Sequence, residues 1–210
     1  MLCFKQALNQ FGSQWKTSLL LGMLATLMVG TVLHLTDYSI FIAFFGAFAF
    51  GLGLLICQRA ADKSMDPTLA LSSVWPPRQH LLSYAIIALF LVPTGAVTAI
   101  GVSFFLVPGI PLILFLGVYT VCVYFFLILS QTLRFHLEKN QPLAKAGDTV
   151  GLLSLRKIPL YSLLSFIFAV LFLISGMTKG AGLLVTLPLL FYTNYFLYQK
   201  LFATPAAKNN

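Results

Sequence analysis

The run Leu81–Ser130 contains no Asp, Glu, Lys or Arg in 50 residues. A helix rises about 1.5 Å per residue and a bilayer's hydrocarbon core is about 30 Å thick, so the run is too long for one crossing and fits two. Val107-Pro108-Gly109-Ile110-Pro111 supplies the break, which predicts spans over Leu81–Val102 and Ile110–Ser130. A second interruption, Pro93-Thr94-Gly95, falls inside the earlier span and is expected to kink it.

The rest of the chain agrees. Hydrophobic residues make up 59% and charged residues 9% of the 210, against roughly 25% charged in soluble domains. A soluble globule of this length cannot hide so much apolar surface, whereas lipid can solvate it. One transmembrane domain over residues 1–210 is expected, with no room for a separate soluble enzyme domain. The net charge of +8 sits in short loops, where topology explains it, so nucleic acid is not an expected partner. Those basic loops should attract anionic lipid headgroups.

In order along the chain, Leu2, Phe4, Leu8, Phe11 and Trp15 recur at helical spacing, which predicts an interfacial amphipathic helix over residues 1–16. The uncharged stretch Thr17–Leu35 reads as a retained first span, since no small-x-small cleavage site follows it. After a turn at Thr36-Asp37-Tyr38-Ser39, Ile40–Cys57 returns, with Ala43, Ala47 and Gly51 on one face for close helix approach. Gln58–His80 is polar and carries Trp75-Pro76-Pro77. Gln131–Lys157 is expected to be a surface loop holding an amphipathic helix opened by Pro142, with Leu143, Ala146, Val150 and Leu153 as its apolar stripe. Spans five and six are expected over 158–176 and 181–201, with Pro188 and Asn194 inside the latter.

Orientation follows from the cations. Twelve of the 13 Lys and Arg fall on one predicted side, and only Lys179 falls on the other. An all-α polytopic protein of six transmembrane helices with both termini cytoplasmic is therefore expected.

No span, so read, contains an Asp, Glu, Lys or Arg, and all five acids (Asp37, Asp62, Asp66, Glu138, Asp148) are assigned to loops. That argues against a proton-driven pump. His34, His80 and His136 are placed at different depths and on different sides, and Cys3, Cys57 and Cys122 lack ligand spacing, so no metal or cofactor is expected. Intramembrane proteolysis needs a serine nucleophile with a partnering histidine, or paired carboxylates. Gly101-Val102-Ser103-Phe104 lacks the second glycine of a nucleophile turn. No enzyme is expected. The polar residues left in the spans suggest candidate cavity-lining positions at Pro93, Thr94, Thr98, Thr186, Pro188 and Asn194, because prolines at matched depth in two three-helix halves are a transporter arrangement.

Val107-Pro108-Gly109-Ile110, Pro142-Leu143 and Gly180-Ala181-Gly182-Leu183-Leu184-Val185-Thr186-Leu187-Pro188, followed by Tyr192, Tyr195 and Tyr198, give the C-terminal half a family look over residues 107–202. It resembles a loose group of bacterial six-helix integral membrane proteins of unknown function. That group is similar in pattern to the membrane domain preceding some glycerophosphodiester phosphodiesterases. Where that pattern has a Ser and a tryptophan near the end of the loop helix, this chain has Thr149 and Ile158-Pro159. The resemblance implies six helices in a bacterial inner membrane, and it supplies no catalytic residue. The leading expectation is a non-enzymatic interaction or accessory component of envelope or lipid processes, with a membrane-protein partner or a second copy. The alternative is a small transporter or lipid-handling protein using the kinked third and sixth spans.

Overall fold

Helix ends in this chain follow proline, glycine and asparagine more closely than they follow the onset of charge. The computed structural model describes residues 2–35, 40–65, 78–104, 112–178 and 181–202. Among them are eight α-helices and no strand: α1 (Leu2–Ser13), α2 (Trp15–Leu35), α3 (Ile40–Met65), α4 (Leu81–Phe104), α5 (Leu112–Lys139), α6 (Leu143–Arg156), α7 (Ile158–Met177) and α8 (Leu183–Phe202). The expected breaks at Thr36–Ser39 and Val107–Pro111, the loop with Trp75-Pro76-Pro77, and the tail after Phe202 lie outside the described residues.

Two predicted spans continue further than their uncharged cores. The second was expected to end at Cys57, yet α3 runs to Met65; the fourth was expected to end at Ser130, yet α5 runs to Lys139. The added segments, Gln58–Met65 and Gln131–Lys139, contain neither Gly nor Pro, so nothing in them opposes the helix. Asp62 and Glu138 are therefore helical residues, not loop residues as the charge pattern suggested. Helix α5 stops at Asn140, whose φ of 48° is the left-handed conformation that asparagine tolerates at a helix end. Pro142 then leads into α6, and the backbone N–H groups of Leu160 and Tyr161 turn back to the Lys157 carbonyl to start α7.

Three described stretches are long and apolar enough to cross a membrane: Phe44–Met65, Leu116–Lys139 and Ile158–Ser175. Helix α8 is not among them, because Thr193, Asn194, three tyrosines, Gln199 and Lys200 dilute its apolar content. It occupies the middle of the bundle, packed on α1, α2, α3 and α7, and every residue from Thr186 to Asn194 is buried. Helix α1 does not stand apart from the bundle. It lies against α8 with Cys3 and Ala7 buried, and Phe4 meets the Phe168 ring edge-on at 5.9 Å.

Close helix approach depends on two glycines. A Cβ on Gly51 would come within 3.0 Å of the Ala88 carbonyl oxygen, so the small face of α3 meets α4. A Cβ on Gly22 would come within 2.2 Å of the Leu184 carbonyl oxygen, which no side chain could share, so α2 and α8 touch backbone to backbone. The outward surfaces are apolar. Leu27 on α2, Phe45 on α3, Leu82 and Phe90 on α4, Ile113 on α5 and Phe166 on α7 are each at least half exposed.

Candidate functional site

Where α3 and α5 pass beyond their apolar cores, their polar residues face inward. Gln58 and Asp62 are four residues apart on α3. Gln131, Arg134 and Glu138 lie three and four apart on α5, which puts each set on one helical face. Helix α8 brings Asn194, Tyr195 and Tyr198 against them, and α7 adds Tyr161.

The result is one continuous hydrogen-bonded chain. The Tyr161 hydroxyl donates to Gln131 Oε1. Gln131 Nε2 donates to Asn194 Oδ1 at 2.8 Å. Asn194 Nδ2 donates to Ser130 Oγ at 2.7 Å and to Gln58 Oε1 at 3.1 Å. Gln58 Nε2 donates to the Phe191 carbonyl at 3.1 Å and to Asp62 Oδ1 at 2.8 Å. An ionised carboxylate only accepts, so Asp62 sets which end of Gln58 faces it, and that choice propagates through Asn194 and Gln131 to Tyr161. Each amide's oxygen and nitrogen ends are thus both engaged, as buried amides require.

The chain ends in an ion cluster. Arg134 Nη1 lies 3.4 Å from Asp62 Oδ1, and Arg134 Nε donates to Glu138 Oε1 at 2.7 Å. Tyr198 donates to the other Glu138 oxygen at 2.8 Å. The guanidinium carbon sits 4.6 Å from the Tyr195 ring centroid and 4.2 Å from that of Tyr198, within cation–π range of both. One cation is thus held by two carboxylates and two aromatic rings.

A second constellation lies between the start of α4 and the end of α5. Ser83 Oγ and His136 Nε2 are 3.0 Å apart, and His136 Nδ1 contacts the Gln141 carbonyl oxygen. The His80 ring stands edge-on to His136, centroids 5.4 Å apart. The expected separation of the histidines thus fails for His80 and His136, which the extension of α5 brings alongside the turn before α4; the side chain of His34 lies outside the described residues. Burial holds His80 below the usual histidine range, with His136 and Arg59 adding to the effect. No group of three or more His, Cys, Asp or Glu that could hold a metal occurs among the described residues.

Of the candidate cavity residues, Thr186, Pro188 and Asn194 lie on α8 and Pro93 on α4. Asn194 is the hub of the hydrogen-bonded chain. Thr186 is buried and shares a 2.9 Å hydrogen bond with Ser175, and Pro188 is buried within α8. Pro93 stands exposed on α4, and the side chains of Thr94 and Thr98 lie outside those described. Sequence reasoning missed Gln58, Asp62, Gln131, Arg134 and Glu138. The signal was their helical spacing, hidden by assigning both charged stretches to loops.

Compared with protein families, characterised proteins and solved structures, the chain finds no match.

Proposed function

We propose that this is an integral protein of a bacterial inner membrane, with six spans and both termini cytoplasmic, serving as an accessory or interaction component of envelope or lipid processes. The observation that carries the membrane reading is the exposure of large apolar side chains on helix after helix, among them Leu27, Phe45, Phe90, Ile113 and Phe166. In water such a surface would drive aggregation; against lipid it is the expected outer face. The cation count supports the orientation, since 12 of 13 Lys and Arg lie on one side of the six-span arrangement.

The polar chain from Tyr161 to Asp62 supports an accessory part over a transport one. Its donors and acceptors are engaged with each other across α3, α5, α7 and α8, which locks those helices together. Contact with other molecules then falls to the outer faces and to basic α1 and α6, where Lys5, Lys145 and Arg156 are exposed toward anionic headgroups.

Two measurements test this. Reporter fusions within residues 140–150 should read as cytoplasmic, and a periplasmic signal there overturns the topology. Co-purification in mild detergent should recover a membrane partner or a second copy; a chain that is always solitary and monomeric overturns the accessory reading.

A further inference from the structure

The Ser83–His136 pair has the parts of a nucleophile and its base. A carbonyl oxygen only accepts, so the contact between His136 Nδ1 and the Gln141 carbonyl places a proton on Nδ1. In the neutral imidazole this leaves the Nε2 lone pair facing Ser83 Oγ, 3.0 Å away, and the serine hydroxyl is the donor. That is the tautomer and contact a general base needs, with a backbone carbonyl orienting the ring.

The helix ends favour charge separation in the same direction. Ser83 lies in the first turn of α4, which begins at Leu81, and so at the positive end of that helix dipole. His136 lies in the last turn of α5, at its negative end. A developing negative charge at the serine and positive charge at the imidazole are each on the stabilising side. Ser83 is half-buried, and its helix neighbours Leu81, Leu82 and Ile86 are exposed, Leu82 by 72%. Exposed apolar side chains thus border the serine along α4.

We propose that Ser83 and His136 form an acyl-transfer dyad acting on the carboxylic esters of membrane lipids. Ser83 Oγ bonds to the ester carbonyl carbon while its proton passes to His136 Nε2. The carbonyl re-forms as the bond to the alcohol oxygen breaks, and that oxygen takes the proton from Nε2. Water, giving a proton to the same nitrogen, then adds to the acyl-serine, and release of the fatty acid returns the proton to Ser83. This goes beyond an accessory part, and its lipid substrate rests on the membrane reading.

The test uses the full chain in phosphatidylglycerol and phosphatidylethanolamine vesicles, with a fluorophosphonate probe and peptide mapping, and with free fatty acid measured in parallel. Ser83 should be labelled in the folded protein, and His136→Gln should slow labelling by about a hundred-fold or more. His136→Ala should regain labelling with added imidazole, which a purely structural contact would not do. A folded, vesicle-inserted wild-type chain whose Ser83 stays unlabelled overturns the dyad while leaving the membrane reading standing. Labelling unaffected by His136→Gln also overturns it. Labelling without fatty-acid release removes the lipid-ester substrate.

Discussion

Gln131 donates its amide proton to the side-chain oxygen of Asn194 across 2.8 Å, joining α5 to α8 at the middle of a chain of buried side chains. Asn194 takes part in three such bonds, to Gln131, Ser130 and Gln58. Interhelical hydrogen bonds in bilayers average about 0.6 kcal/mol, because the unfolded chain finds other partners in the membrane. Replacing Asn194 by Leu should therefore lose about 2 kcal/mol, read as earlier unfolding in a detergent titration, whereas Asn194→Gln should lose less.

Glycine makes opposite predictions at two places. At Gly22 an added Cβ would sit 2.2 Å from the Leu184 carbonyl oxygen, so α2 and α8 must separate. Gly22→Ala should destabilise by about 1–3 kcal/mol, as overpacking does. At Gly151 in α6 an added Cβ meets nothing within 4 Å. Gly151→Ala should stabilise by about 0.5–1 kcal/mol through helix propensity. Thermal melting in one detergent compares the two directly.

The helices were legible in the sequence because uncharged runs and proline or glycine breaks are local signals. The inward-facing polar cluster was not, because charge was taken as a mark of water. Arg134 and Asp62 are charged, helical and mostly buried together, and their pairing is a contact between distant stretches that no local pattern records. The covering of α1 by α8 was hidden for the same reason: its buried residues are Cys3 and Ala7, while Leu2 and Leu8 of the expected apolar stripe stay exposed. Asn194 was singled out by being polar inside a span. Its partners Gln58 and Gln131 became visible only once both helices proved longer than their apolar cores.

His80 gives a pH dependence with a definite sign. Burial, then His136 and Arg59, depress its proton affinity in the folded state. The unfolded chain, with an ordinary histidine near pH 6.5, then binds more protons than the folded one as the medium is acidified. The stability from keeping His80 neutral is present above about pH 6.5 and is lost as the pH falls through that value and toward the lower folded-state value. Between pH 8 and 5 the wild-type melting temperature in detergent should fall relative to that of His80→Gln.

The Asp62–Arg134 contact makes a prediction that separates a buried pair from a surface one. The two side chains are 18% and 14% exposed, while Glu138 is 43% exposed. Removing the cation with Arg134→Met strands the Asp62 carboxyl without its partner in a mostly dry site, and should lose about 2–4 kcal/mol. Removing the exposed acid with Glu138→Gln should lose only about 0.5–1 kcal/mol, because water screens that partner. The double variant Asp62→Asn, Arg134→Met has no stranded charge, and the carboxamide oxygen it introduces still accepts from Gln58, whose bond to Asp62 is 2.8 Å. It should recover about 1–3 kcal/mol of the loss seen in Arg134→Met alone, measured as a double-mutant cycle in one detergent. Strict additivity of the two single losses would show that the guanidinium is held by Tyr195 and Tyr198 rather than by Asp62.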